Sequence, residues 1–155
     1  MRFSGQIRDL EAIMADPTPQ QEIIDSCETN FDAHANDCSG FLKAVAGDLG
    51  IAITGMADDI VDEIQTAPWT PLADGIAAGA QADLGSFVVG GLKDTPHGHV
   101  VVVVQGPLAH GKYPTGYWGR LGATGMKNTT INWAWNAADR DRVTYAYVAL
   151  PQQSD

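Results

Sequence analysis

The pattern of apolar residues changes once along this chain of 155 residues, near residue 85. Before that point apolar residues recur three and four positions apart, which is typical of helices. After it they form short β-branched and aromatic runs separated by glycine and proline, which is typical of strands. Helices that precede strands, instead of alternating with them, indicate an α+β fold. We therefore predict a single domain over 1–155, with N-terminal helices packed on a small antiparallel sheet.

The local patterns also predict where each element lies. The predicted helices cover 19–32, 38–49, 57–65 and, less regularly, 73–82. The predicted strands cover 86–89, 98–105, 115–121, 131–135 and 142–150. Residues 1–17 have weak periodicity, and we interpret them as a loosely ordered leader or a short capping helix.

The charge distribution excludes one class of partner. The net charge is −10, and residues 1–63 contain 13 acidic and three basic residues, which accounts for all of the excess. Such a field repels phosphate, and the chain has no stripe of lysine and arginine, so we expect no nucleic-acid binding. The excess indicates solubility, with a partner-docking surface as the alternative.

The hydropathy pattern predicts no membrane insertion. The longest aliphatic run, Val100 to Val104, is far shorter than the roughly 20 residues of a membrane-spanning helix. Asp9 lies where a signal peptide would have its apolar stretch. We therefore expect synthesis in the cytoplasm without a signal peptide, so that export would require machinery that accepts the folded protein.

Cys38 is the candidate nucleophile. The pattern places it in the first turn of a helix, with Asn36 or Asp37 as the cap, where unpaired backbone N–H groups and the helix dipole favour a thiolate. The backbone N–H of Cys38 could also donate to an oxyanion. On spacing alone, a small buried core cysteine is the alternative interpretation.

His99 is the candidate acid and base, because it begins the most strand-like segment of the chain, beside Gly98. A histidine packed in a strand is the alternative. His97 and His99 share a strand face, but only Cys38 could join them as a soft ligand and no further ligand follows at metal-binding spacing. We therefore predict no metal and no organic cofactor.

Several motifs together resemble a known family. Asn36-Asp37-Cys38-Ser39-Gly40-Phe41-Leu42 and His97-Gly98-His99-Val100 look like the NlpC/P60 group of papain-like cysteine peptidases. Three further segments are similar to the first family of type VI secretion amidase effectors: Gly106-Pro107-Leu108, Lys112-Tyr113-Pro114 and Asp139-Arg140-Asp141-Arg142. This resemblance spans roughly Ile23 to Leu150.

The resemblance implies a papain-like fold and an antibacterial toxin, a hydrolase delivered by a contractile injection apparatus into the periplasm of a rival cell. There it would cut the bond between γ-D-glutamate and meso-diaminopimelate in peptidoglycan stem peptides. It also implies a cognate immunity protein, and we expect the enzyme to be a monomer. The alternatives are a non-catalytic module that binds wall peptides, or a papain-like acyltransferase or deamidase acting on a protein.

The resemblance assigns catalysis to Cys38 and His99. Ser39 and Asp37 are expected to support the helix N-terminus, although the charge of Asp37 opposes a thiolate. The loop with Tyr117 and Trp118 is expected to line the substrate groove. We assign no third group to orient His99.

Cys27 has no partner besides Cys38. Because a disulfide between them would abolish activity, we predict that Cys27 is buried and unpaired.

Overall fold

The protein is an α+β domain, as the sequence predicts. The computed structural model describes residues 17–151, with four helices in the first half and a six-stranded sheet formed largely by the second. The leader predicted for residues 1–17 lies outside the described residues, apart from its last position. None of the helices within 17–151 has the length and apolarity needed to cross a membrane.

The four helices begin close to where the sequence predicts. They are α1 (Pro19–His34), α2 (Cys38–Asp48), α3 (Ala57–Glu63) and α4 (Gly75–Asp83). Thr18 caps α1 by accepting a hydrogen bond from the backbone N–H of Gln21 at 3.1 Å. This cap satisfies a helix donor that would otherwise lack a partner, which explains why the helix begins there.

The sheet contains six antiparallel strands in the order β1-β6-β2-β3-β4-β5. Their bounds are Thr70–Leu72, Phe87–Leu92, His99–Val103, Thr115–Trp118, Met126–Thr130 and Thr144–Val148 for β1 to β6. Strands β2 and β3 occupy the centre of the sheet.

One predicted strand is wrong. Residues 131–135 do not form a strand, because Ile131–Trp133 is a 3-10 turn that follows β5 directly. Ile131 and Ala134 are buried while Trp133 is 65% exposed. A burial spacing of three fits a turn of 3-10 helix and does not fit the alternation of a strand.

The core lies on both faces of the sheet. Along β3, Val100 and Val102 pack in the cluster that contains α1, α2 and α3. Val101 and Val103 pack on the opposite face, with α4 and the 3-10 turn. The valine run therefore belongs to a central strand that is buried on both sides, and this explains its lack of polar alternation.

Candidate active site

Cys38 begins helix α2, as predicted. Asp37 is the cap, and its carboxylate accepts a hydrogen bond from the backbone N–H of Gly40 at 3.0 Å. The Ser39 hydroxyl donates to the same carboxylate at 3.3 Å. Asp37 and Ser39 therefore contact each other in the first turn. Cys38 lies between them in sequence and is 6% exposed.

The loop between β4 and β5 packs on the turn that precedes Cys38. The backbone N–H groups of Arg120 and Gly125 both donate to the carbonyl of Ala35, at 3.0 and 2.8 Å. Gly119 lies so close to this turn that a Cβ there would be 2.2 Å from the carbonyl oxygen of His34. Only glycine permits this approach, and the loop thereby fixes the position of the α1–α2 turn.

His99 is the first residue of β3 and packs between two tryptophans. Its ring lies edge to face with Trp118 and Trp135, with centroid distances of 6.5 and 5.2 Å. The buried Nε2 of His99 has no hydrogen-bond partner among residues 17–151. The two rings fix the imidazole by packing, without a hydrogen bond to that nitrogen.

Cys38 and His99 line one cavity of about 520 Å³. The two residues come from different halves of the chain, one from the start of a helix and one from the start of a strand. Several other residues share the lining: Leu92, Asp94, His97, Arg120, Leu121, Trp133, Trp135, Asn136 and Asp139. The cavity thus combines a thiol, an imidazole, both signs of charge and an aromatic wall.

The electrostatics of Cys38 differ from our expectation. Burial raises the pKa of the Cys38 thiol, and the charge of Asp37 raises it further. The backbone N–H groups of Val100, Ser39 and Cys38 itself lower the pKa but do not outweigh burial. The expected stabilisation by the helix N-terminus is present, but desolvation of the sulfur is the larger effect.

His99 is also held in its neutral form. Burial lowers the pKa of the His99 imidazole to about 3, and the positive charge of Arg120 and then that of His97 act in the same direction. At neutral pH the cavity therefore contains an uncharged thiol and an uncharged imidazole.

The structure places Tyr117 and Trp118 away from the cavity lining, contrary to our expectation for a groove. Both side chains are completely buried, because β4 lies inside the sheet with a core on each face. The Tyr117 hydroxyl donates to Glu28 on α1 at 2.6 Å. Trp118 instead lies behind His99 and contributes to its packing.

Several residues that line the cavity were not predicted from the sequence, among them Arg120, Trp133 and Trp135. The two tryptophans were assigned to a strand that does not form, so their spacing suggested a sheet face. Arg120 follows Trp118 by two residues and falls within the predicted strand 115–121, and no motif singled out its side chain as functional.

Cys27 is completely buried and both cysteines are free thiols, as predicted. Burial raises the pKa of Cys27 well above its ordinary value.

Within the part of the chain that the structure describes, no three His, Cys, Asp or Glu side chains are grouped so that they could hold a metal ion.

The chain is similar to a characterised bacterial protein. It is 36% identical over 141 residues to the peptidoglycan amidase Tse1 of Pseudomonas aeruginosa, an alignment that covers 84% of this chain and 91% of the relative. No family model matches the chain.

Proposed function

Because this chain belongs to the type VI secretion amidase effectors, we propose that it is a cell-wall-degrading toxin that hydrolyses amide bonds in peptidoglycan stem peptides. The bond we propose is that between γ-D-glutamate and meso-diaminopimelate. The relative's name supports the amidase activity and the peptidoglycan substrate. The specific bond follows from the motif resemblance.

The observation that carries the proposal is that Cys38 and His99 line the same cavity. Acyl transfer by a cysteine requires a nucleophile, a proton acceptor and a donor for the oxyanion within one site. The first turn of α2 provides the backbone N–H groups of Cys38 and Ser39 next to the sulfur. The cavity thus contains the three groups that this chemistry needs.

The first step begins from the uncharged pair. His99 accepts the thiol proton as the Cys38 sulfur attacks the amide carbonyl carbon, and a C–S bond forms. The backbone N–H groups at the start of α2 donate to the developing oxyanion. The C–N bond then breaks, the imidazolium donates its proton to the departing amine, and an acyl-enzyme thioester remains.

The second step reverses these roles. His99 accepts a proton from water, and the resulting hydroxide attacks the thioester carbonyl. The C–S bond breaks, the proton returns to sulfur, and the carboxylic acid leaves. The net reaction consumes one water and restores the neutral pair, with no metal or organic cofactor in either step.

The proposal includes the context of the reaction. The protein would be made in the cytoplasm, loaded into the type VI secretion apparatus and delivered as a monomer to the periplasm of a target cell. In the producing cell an immunity protein would cover the cavity. The exposed apolar side chains Trp133 and Leu121, 65% and 54% exposed at the cavity, offer a surface suited to such a contact.

Mass spectrometry of peptidoglycan fragments tests the activity and the bond together. Diaminopimelate-type peptidoglycan is incubated with the wild-type chain, with Cys38→Ala and with Cys27→Ala. We expect the wild type and Cys27→Ala to release fragments ending in γ-D-glutamate. Cys38→Ala should lose at least about 1000-fold in rate, because it lacks the nucleophile. Circular dichroism confirms that each variant is folded.

Other outcomes would contradict the assignment. Undiminished release by Cys38→Ala would exclude Cys38 as the nucleophile. Binding of wall fragments without hydrolysis would indicate a binding module. A mass increase on an acceptor protein in place of wall fragments would indicate an acyltransferase.

A further inference from the structure

We propose that Arg120 binds a free carboxylate of the substrate and thereby selects stem peptides whose acidic groups beside the cleaved bond are unmodified. The inference rests on the proposed function, since it names what the same cavity recognises. It concerns substrate choice, which the cysteine and the histidine do not determine.

Hydrogen bonds hold the Arg120 side chain at the cavity wall. Its Nη2 donates to the carbonyls of Ala134 at 2.8 Å and of Trp133 at 3.3 Å. Its backbone N–H donates to Ala35 in the turn before Cys38. A side chain anchored in this way at its backbone and at Nη2 loses less entropy when it binds a ligand, which favours recognition.

Arg120 has no acidic partner among residues 17–151. None of the carboxylates in that range lies within 4.0 Å of its guanidinium, although four other basic side chains there do form ion pairs. Two acids share the cavity lining, but Asp139 pairs with Arg142 at 3.0 Å, and Asp94 accepts from the backbone N–H of Thr95 at 2.8 Å.

Arg120 is half-buried without a carboxylate partner, although the chain has a net charge of −10. Desolvating a charge without an opposite partner is unfavourable, and a carboxylate of a bound ligand would relieve that cost. A guanidinium has five N–H donors, and the bonds to Trp133 and Ala134 involve only Nη2. The remaining donors are available to a carboxylate in the cavity.

The proposed substrate offers carboxylates at this position. On the acyl side of the cleaved bond, D-glutamate attached through its γ-carbonyl keeps its α-carboxylate free. On the amine side, diaminopimelate keeps a carboxylate on its second stereocentre. Either one is a charged acceptor a few bonds from the scissile amide, and both are replaced by neutral carboxamides when the peptide is amidated.

Three synthetic stem peptides distinguish these groups. One carries all free carboxylates, the second an α-carboxamide on D-glutamate, and the third a carboxamide on diaminopimelate. We expect the wild type to prefer the free peptide over one of the two amides by about 10- to 100-fold in kcat/KM, as for a hydrogen bond to a charged group. Arg120→Gln should remove that preference.

A matched control separates this role from a general effect of charge. Lys127→Gln removes a positive charge that pairs with Glu28, and neither of these residues lines the cavity, so this variant should keep the wild-type preference. Arg120→Lys should keep part of it, because lysine retains the charge but not the planar donor group.

Binding of the same peptides to Cys38→Ala, measured by calorimetry, makes the result independent of hydrolysis. If Cys38→Ala binds the three peptides with different affinities and Arg120→Gln abolishes this difference, the inference is supported. This holds even if no peptide is cleaved, and in that case only the proposed function fails. Equal treatment of the three peptides by the wild type would overturn the inference. The inference would also be overturned if Arg120→Gln weakened the binding of all three peptides by the same factor, since that indicates a role limited to holding the cavity wall.

Discussion

His99 and Cys38 are both kept uncharged by the surroundings that bring them together. Burial is the first cause of the shift in each pKa, raising that of the thiol and lowering that of the imidazole to about 3. In the proposed mechanism such a pair would move a proton during attack without forming a stable ion pair beforehand. The same burial lowers the free energy of unfolding at acidic pH.

Acidification should destabilise the protein through His99. An unfolded imidazole binds a proton below about pH 6.5, whereas the folded one stays neutral until about pH 3. The contribution of neutral His99 to the unfolding free energy is therefore complete above pH 6.5 and is lost as the pH falls towards 3. Between about pH 7 and about pH 5 this loss amounts to roughly 2 kcal/mol of unfolding free energy.

Urea unfolding of the wild type and of His99→Gln at these two pH values measures this contribution. The fall in unfolding free energy should be smaller in the variant by that amount, because all other titrating groups are common to both proteins. Equal falls in the two proteins would show that the imidazole is not protected from protonation.

At the scale of elements, the β4–β5 loop fixes the position of the turn that leads into helix α2. Gly119 approaches the α1–α2 turn within a distance that no side chain permits, and the loop bonds to Ala35 by two backbone N–H groups. The position of Cys38 thus depends on a loop that comes about 80 residues later in the sequence.

Gly119→Ala should destabilise the protein by about 1–3 kcal/mol and reduce hydrolysis, because the new methyl group displaces the loop from the turn. Gly47→Ala is the matched control. It lies in helix α2, its Cβ would meet no atom within 4 Å, and alanine favours helix, so its stability should stay equal or rise by up to about 1 kcal/mol. Urea midpoints and cleavage rates compare the two. A Gly119→Ala variant as stable and active as Gly47→Ala would contradict this role of the loop.

The sequence was most informative where structure is local. Helices α1 to α3 and the central strands were predicted because caps, periodicity and β-branched runs are properties of neighbouring residues. Strand β5 was missed because it is polar and lies at the edge of the sheet, and β1 because it contains a proline and is equally peripheral.

The same distinction applies to the candidate site. Cys38 and His99 stand at element starts that local patterns reveal, and the structure brings them to one cavity. Arg120 and Trp133 are held at that cavity by hydrogen bonds between segments distant in sequence, from the Arg120 backbone N–H to Ala35 and from its guanidinium to the Trp133 carbonyl. No spacing rule within a single sequence encodes such contacts, and the 3-10 turn that carries Trp133 resembles a strand by composition alone.

At the scale of the whole molecule, the central strand joins two cores. Trp69 lies in the core on the side of α1 to α3, Trp118 lies in the other, and the alternating valines of β3 contact both. Neither core can open without exposing one face of the same strand. Unfolding should therefore be a single cooperative transition.

Fluorine NMR of the chain labelled with 5-fluorotryptophan tests this prediction with all four tryptophans present. The native signals of Trp69 and Trp118 should disappear at the same urea concentration, together with the far-ultraviolet circular dichroism. Exposed Trp133 provides an internal reference for the response to urea alone. Separate midpoints for the two buried signals would show that the cores unfold independently.

The contact between the β4–β5 loop and the α1–α2 turn also bears on attempts to redesign this scaffold. Asn36 on the turn donates to the carbonyl of Ala123 on the loop, 87 positions away in the chain. A combinatorial library or graft that exchanges the loop alone would misplace the Cys38 sulfur while it alters Arg120. The loop and the turn should therefore be exchanged together when a different substrate selectivity is sought.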